Sequence, residues 1–158
     1  MIIHEEKAPF SRLMKLLMLA LVVYVVGIML LAMSIEEPPP EVVYIIFPVL
    51  TAVFLWAYAS FFSMKFSVTD SAVVASMWPF RSRVGFKEIE SIEVVQKLPW
   101  WLGWGLRMWY RRGAMQAFVS QRKPSLLIHK KKGRIKKILL TTQDPEEFKK
   151  KVEEAMKS

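Results

Sequence analysis

The sequence predicts a two-helix transmembrane hairpin followed by a mainly-β barrel of about seven antiparallel strands, capped by a C-terminal amphipathic helix. Two apolar segments without charge, residues 16–33 and 42–64, lead to the first half of this prediction. As a helix the second segment reaches about 34 Å, more than the roughly 30 Å of a bilayer's hydrocarbon core. After residue 64 the pattern changes to short runs of period two, which is typical of strands.

Charge divides the chain at the same place. The first 64 residues carry three basic and five acidic side chains, a net charge of −2, whereas residues 65–158 carry twenty basic and nine acidic, a net charge of +11; together they give +9. An apolar half joined to a basic half is the pattern of a membrane anchor with a charged head. We therefore predict two domains: an N-terminal segment with two spans at residues 1–64, and a cytoplasmic domain at residues 65–158.

The spans are expected at about residues 13–33 and 42–64, with Lys15 reaching out to the membrane surface. Between them, residues 34–41 hold three prolines and three glutamates, while the basic residues flank the outer sides of the spans. The positive-inside rule then predicts a multi-pass protein of the cell membrane with both termini in the cytoplasm. A cleaved signal peptide, with Ala32-Met33-Ser34 as a small-x-small cleavage motif, is the alternative.

Runs of alternating or apolar residues predict strands in the second half, with residues 81–83 as a polar link and 87–90 as a single turn. Six or seven antiparallel strands avoid bare edges by curling into a barrel. The runs fall at 65–69, 72–77, 84–86, 91–96, 107–110, 114–120, 125–129 and 134–142.

Helix signals then begin at Asp144, which can act as an N-cap, with Pro145 at the first helical position and Glu147 three residues after the cap. The apolar residues that follow fall on one face of a helix. They are Phe148, Val152, Ala155 and Met156.

Several segments, in this order, resemble small prokaryotic membrane proteins with a bacterial pleckstrin-homology (PH)-like domain. The resemblance implies two helices before a seven-stranded, helix-capped barrel and a membrane location, and it implies little about activity. The density of tryptophan between residues 98 and 109 departs from the pattern. The segments are residues 66–70 (FSVTD), Phe80, residues 84–92 (VGFKEIESI), residues 103–107 (GWGLR) and residues 141–148 (TTQDPEEF).

The sequence contains few candidate catalytic residues. It has two histidines, His4 and His129, and no cysteine, and its acidic pairs on the last helix suit the helix dipole and solubility. Nucleotide-binding, zinc-protease and nucleophile-elbow motifs do not occur. We predict a protein that is not an enzyme and that needs no cofactor or metal.

Tryptophan clusters between residues 98 and 109, with arginine beside it. Tryptophan next to arginine suits a membrane interface, where the ring lies at headgroup depth and the cation meets anionic lipid. Alternatively, the rings fill or cover the barrel core. The predicted contact residues of this segment are Trp100, Trp101, Trp104, Arg107, Arg111 and Arg112.

A basic hairpin turn at Lys130, Lys131 and Lys132 completes the predicted site, unless it is only a solvated turn. The leading hypothesis is a non-catalytic membrane-anchored module that binds anionic lipid headgroups. The alternative is a scaffold or accessory subunit whose Trp-rich surface binds another membrane protein or a second copy of the chain. Nucleic acid is disfavoured by the membrane tether.

Overall fold

The computed structural model describes residues 1–34, 41–98, 102–103, 105–109, 114–121 and 123–157. The chain forms two compact units. Phe10–Ser60 make the helical unit, and Met1–Pro9 together with Phe61–Ser158 make the β unit. The predicted link between the spans lies mostly in residues 35–40, outside the described residues.

The helical unit contains α1 (Arg12–Met33) and α2 (Glu41–Phe62), close to the predicted spans. Ser11 begins α1 by accepting a hydrogen bond from the Met14 N–H at 3.1 Å. The α2 helix continues through Pro48. Each helix holds a stretch long and apolar enough to cross a membrane, with mean hydropathies of 2.9 and 2.0. Few residues of these stretches are fully buried within the protein, and many of their large apolar side chains are exposed.

In the described residues the β unit has nine strands, in two sheets, and one helix. The first sheet, in the order β1-β2-β3-β4, contains β1 (Ile2–Lys7), β2 (Lys65–Thr69), β3 (Ala72–Met77) and β4 (Phe80–Gly85). The second sheet, in the order β5-β8-β9-β7-β6, contains β5 (Ile89–Val95), β6 (Gly105–Trp109), β7 (Ala114–Val119), β8 (Ser125–Lys130) and β9 (Ile135–Leu140). A 3₁₀ turn at Phe86–Glu88 joins the sheets, and α3 (Pro145–Lys157) ends the chain.

Buried aromatic side chains join these elements into one core. Phe66 of the first sheet meets Phe118 of the second edge to face, with ring centroids 6.4 Å apart. The α3 helix packs against β2, β5 and β8. It does so with Phe148, Val152 and Ala155, three of the four residues of the predicted apolar face, whereas Met156 is exposed.

The described residues form nine strands, whereas the sequence predicts about seven. The sequence analysis groups Ile2–Lys7 with the spans and predicts a polar link at residues 81–83, but both segments belong to edge strands of the first sheet. Their side chains are largely exposed, so they lack the alternation of apolar and polar residues that marks a half-buried strand.

The predicted closed barrel of antiparallel strands is wrong. The two sheets remain separate. In the second sheet β9 lies between β8 and β7, pairing antiparallel with β8 and parallel with β7. A barrel closes only when its edge strands pair with each other. Instead β4 and β5, which lie on either side of the 3₁₀ turn, are edge strands of different sheets and do not pair with each other.

The N-cap of α3 gives a first prediction. The Asp144 carboxylate accepts hydrogen bonds from the Glu146 and Glu147 N–H groups, both at 3.0 Å. Asp144→Ala should lower the stability of the docked helix by about 1 kcal/mol, whereas Asp144→Asn should retain most of it. Hydrogen exchange of the α3 amides, measured on the full chain in detergent, checks this. Equal exchange in the two variants would contradict the role of the cap.

Candidate functional site

The connections to both helices leave the β unit at one end. Lys7, the last residue of β1, lies opposite Lys65, the first residue of β2. The next pair is held as well, because the Ala8 N–H donates to the Met64 carbonyl at 3.0 Å. We call this end of the β unit, marked by residues 61–65, the tether end.

The strand before the Trp-rich segment, β5, ends at the tether end, and the next strand, β6, begins there. Val95 closes β5 opposite Ser125, and Gly105 opens β6 opposite Val119. Gly105 has a φ of +87°, and a side-chain carbon there would lie 3.8 Å from the ring of Phe61. Trp100, Trp101 and Trp104 themselves lie outside the described residues.

The described part of the Trp-rich segment serves the core. Leu102 is buried in a cluster with Ala117, Val119 and Leu139, and Leu98 packs against the same cluster. The alternative in which the tryptophan rings fill or cover the core falls on residues outside the described ones. Arg107 is exposed on β6, and its guanidinium lies beside Gly103, 3.0 Å from where a side-chain carbon would stand.

Predicted basic residues at 130–132 lie at the opposite end of the second sheet. Lys130 is the partner of Ile89 at the start of β5, and the Lys131 N–H donates to the Glu88 carbonyl at 2.8 Å. The turn between β2 and β3 in the first sheet is attached to the same region, because the Phe86 N–H donates to the Ser71 carbonyl at 3.0 Å. We call this the basic end.

Within the basic end the three predicted lysines are not equivalent. The Lys130 ammonium lies 3.0 Å from the Glu88 carboxylate, and its side chain is only 14% exposed. In the described part of the chain no ion pair joins Lys131, Lys132 or Arg134, and all three are exposed. Lys131, Lys132 and Arg134, here called the basic tip, are therefore the exposed cations of this turn, whereas Lys130 is paired with Glu88.

Two of the predicted arginines, Arg111 and Arg112, lie outside the described residues. Their described neighbours in the chain, Trp109 and Ala114, are at the basic end, because Ala114 pairs with Ile135 in the parallel β7–β9 ladder. Six-residue β7 spans about 17 Å between the ends at roughly 3.3 Å per residue. The structure thus places the ends of the strands that flank the Trp-rich segment, Val95 and Gly105, at the opposite end of the sheet from the predicted lysines.

A second exposed aromatic group lies at the tether end, and the sequence analysis did not single it out. Trp78 and Phe80, in the turn between β3 and β4, are 59% and 47% exposed. The Trp78 N–H donates to the Ser63 hydroxyl at 2.8 Å. The sequence does contain a signal for this group, because two large aromatic residues flank Pro79, and proline is typical of exposed turns.

An open cleft of about 540 Å³ lies between β1 and the start of α3. Its charged groups face one another. The Lys151 ammonium is 3.1 Å from the Glu147 carboxylate and 3.4 Å from His4 Nδ1, while His4 Nε2 is 3.8 Å from the Glu6 carboxylate. Glu6 also accepts a hydrogen bond from the Gln143 N–H at 3.2 Å. These contacts tie the N-terminal strand to the helix.

Burial raises the pKa of the Glu6 carboxyl above its ordinary value of 4.5, against the Gln143 hydrogen bond and the nearby His4, which lower it. The other histidine, His129, lies with Nε2 3.6 Å from the Glu93 carboxylate. Among the described residues no group of three or more His, Asp or Glu side chains is placed to hold a metal ion.

Comparisons with known proteins add no relative. No protein-family model, no curated protein and no solved structure matches this chain.

The raised pKa of Glu6 gives a prediction. A carboxyl that keeps its proton to higher pH in the folded state adds stability below the unfolded pKa, and that stability is lost as pH rises through the folded pKa. Glu6→Gln retains an acceptor for the Gln143 N–H and removes this titration. On raising the pH from below 4.5, the wild type should therefore lose stability relative to Glu6→Gln. Unfolding midpoints of both proteins in detergent across this range check it; parallel curves would refute it.

Proposed function

We propose that this protein is a non-catalytic, membrane-anchored module whose PH-like β unit binds the anionic surface of the membrane that its two helices span. Both termini lie in the cytoplasm in this proposal, since the basic residues flank the outer sides of the helices. The observation that carries it is the exposed, unpaired basic tip on a unit already joined to two membrane-length apolar helices.

A PH-like assignment is supported by the order of the elements: two helices, a β-rich unit and a C-terminal helix packed on both sheets. The nine strands of the described residues, in two open sheets, depart from the barrel that the resemblance implies. The proposed function therefore rests on the charged and aromatic surfaces rather than on the fold.

Lipid binding requires the basic tip itself to reach the membrane surface. The two ends of the second sheet are about 17 Å apart, more than the roughly 8 Å Debye length at physiological salt. A basic tip one strand length away from the headgroups would be largely screened from them. In this proposal the basic tip therefore contacts the headgroups directly.

A second candidate function is a scaffold for another membrane protein or for a second copy of the chain. The observation in its favour is the exposure of many large apolar side chains of α1 and α2. In that case the basic tip need not reach lipid and is available to an acidic polypeptide instead.

A spin label at the basic end separates the two functions. The chain has no cysteine, so Lys87→Cys provides a single attachment site. Position 87 is exposed beside the basic tip, because its neighbour Glu88 is bonded to Lys131. The labelled full chain is reconstituted into vesicles of phosphatidylcholine alone or mixed with phosphatidylglycerol. The measurement is the collision rate of the label with a water-soluble nickel chelate.

Anionic lipid should lower this collision rate, and high salt should restore it. A lysine near an anionic surface contributes about 1 kcal/mol. Reversing two charges in Lys131→Glu/Lys132→Glu should thus shift the bound-to-free ratio of the tip by at least about 30-fold. The matched control is Lys150→Glu/Lys157→Glu, which makes the same charge change on the exposed side of α3 and should leave binding almost unchanged.

Equal collision rates in neutral and anionic vesicles would overturn the lipid-binding function. If the label were then immobilised in native membranes but not in vesicles of the extracted lipid, a polypeptide partner would be indicated, and the scaffold function would replace it.

A further inference from the structure

We propose that the turn at residues 78–80, Trp-Pro-Phe, is an interfacial anchor that inserts into the headgroup boundary of the bilayer crossed by α2. This rests on the part of the proposed function in which the helices span the membrane, and adds a contact site on the β unit that is separate from both predicted groups.

Exposure is the first observation. β3 is almost wholly buried up to Met77, and the next three residues are all exposed. Trp78 and Phe80 leave 59% and 47% of their surfaces open. About half of the surface of these two large aromatic side chains is open to solvent, whereas the interface region of a bilayer favours such rings.

Position is the second observation. The Trp78 N–H donates to the hydroxyl of Ser63, and Ser63 is the residue that follows α2 (Glu41–Phe62). One residue adds only a few Å along the chain. Where α2 leaves the hydrocarbon core, a turn hydrogen-bonded to its next residue is therefore held at the membrane surface. The short tether gives the aromatic rings a high effective concentration at that surface.

Polar groups of the turn also suit this depth, where an unsatisfied backbone N–H is costly. The N–H of Trp78 is bonded to Ser63, and Pro79 has no N–H. Phe80 lies opposite Met77 in the β3–β4 ladder. The next residue, Arg81, is exposed and provides a cation at the level of the lipid phosphates. The span of α2 fixes where the bilayer surface lies relative to Ser63, whereas nothing fixes where a folded partner would lie. A lipid bilayer is therefore the occupant that we propose for this turn.

Depth measurements on the full chain test the proposal. Single spin labels are attached at Phe80→Cys, where the apolar nitroxide side chain takes the place of the Phe80 ring and Trp78 remains as the anchor. A second label, at Val53→Cys in α2, is the reference inside the spans. The proteins are reconstituted into phosphatidylcholine vesicles, without anionic lipid, so that the basic tip does not contribute. Collision rates with lipid-soluble oxygen and with a water-soluble nickel chelate give the depth of each label.

The label at position 80 should lie at headgroup depth, shallower than the label at position 53 and excluded from bulk water. Trp78→Ser should move it into water, whereas Trp78→Tyr, which keeps an amphipathic ring, should leave it in place. Both variants retain the backbone N–H that binds Ser63, so the turn itself is preserved.

Two results would overturn the proposal, and they are distinguishable. If position 53 lies in lipid and position 80 lies in water, the anchor is wrong and the membrane-spanning part of the proposed function stands. If position 53 also lies in water, the helices do not span, and both fall. The response of position 87 to anionic lipid is a separate measurement and decides neither outcome.

Discussion

Pairing of β1 with β2 is the constraint on which the rest of the arrangement depends. It holds the segment that leads into α1 beside the segment that leaves α2, with Lys7 opposite Lys65 and Ala8 bonded to Met64. Both connections to the helices are therefore at one end of the first sheet. Strand register then determines what else lies at that end and what lies one strand length away.

The chemistry of the two ends differs in a way that fits a unit tethered to a membrane. The aromatic turn and the flanks of the Trp-rich segment lie at the tether end, next to Ser63 and Phe61. The basic tip lies at the other end, where the Lys130–Glu88 pair and the Lys131–Glu88 hydrogen bond hold the hairpin to the 3₁₀ turn. A charge-neutralised Lys130 beside open Lys131 and Lys132 shows that neighbouring residues of one basic run need not share a role.

Much of the fold could be predicted from local patterns. The bounds of both apolar helices, the strands at Lys65–Thr69 and Ala72–Met77, and the N-cap at Asp144 follow from composition, alternation and capping chemistry in adjacent residues. Edge strands were missed because an exposed strand such as Ile2–Lys7 has no buried face to impose alternation. The closed barrel was wrong because closure depends on which edges pair, and no local pattern specifies that.

The sequence by itself determined two membrane-length apolar helices, a strongly basic second half and the residue types available for contact, because these properties depend on composition and short-range order. Only the tertiary structure decided that the Trp-rich flanks and the lysine hairpin lie about 17 Å apart, and that Trp78 belongs beside the end of α2. The physical reason is that strand order and register arise from hydrogen bonds between residues far apart in the chain. A parallel β7–β9 pair and a bond from residue 78 to residue 63 are such contacts.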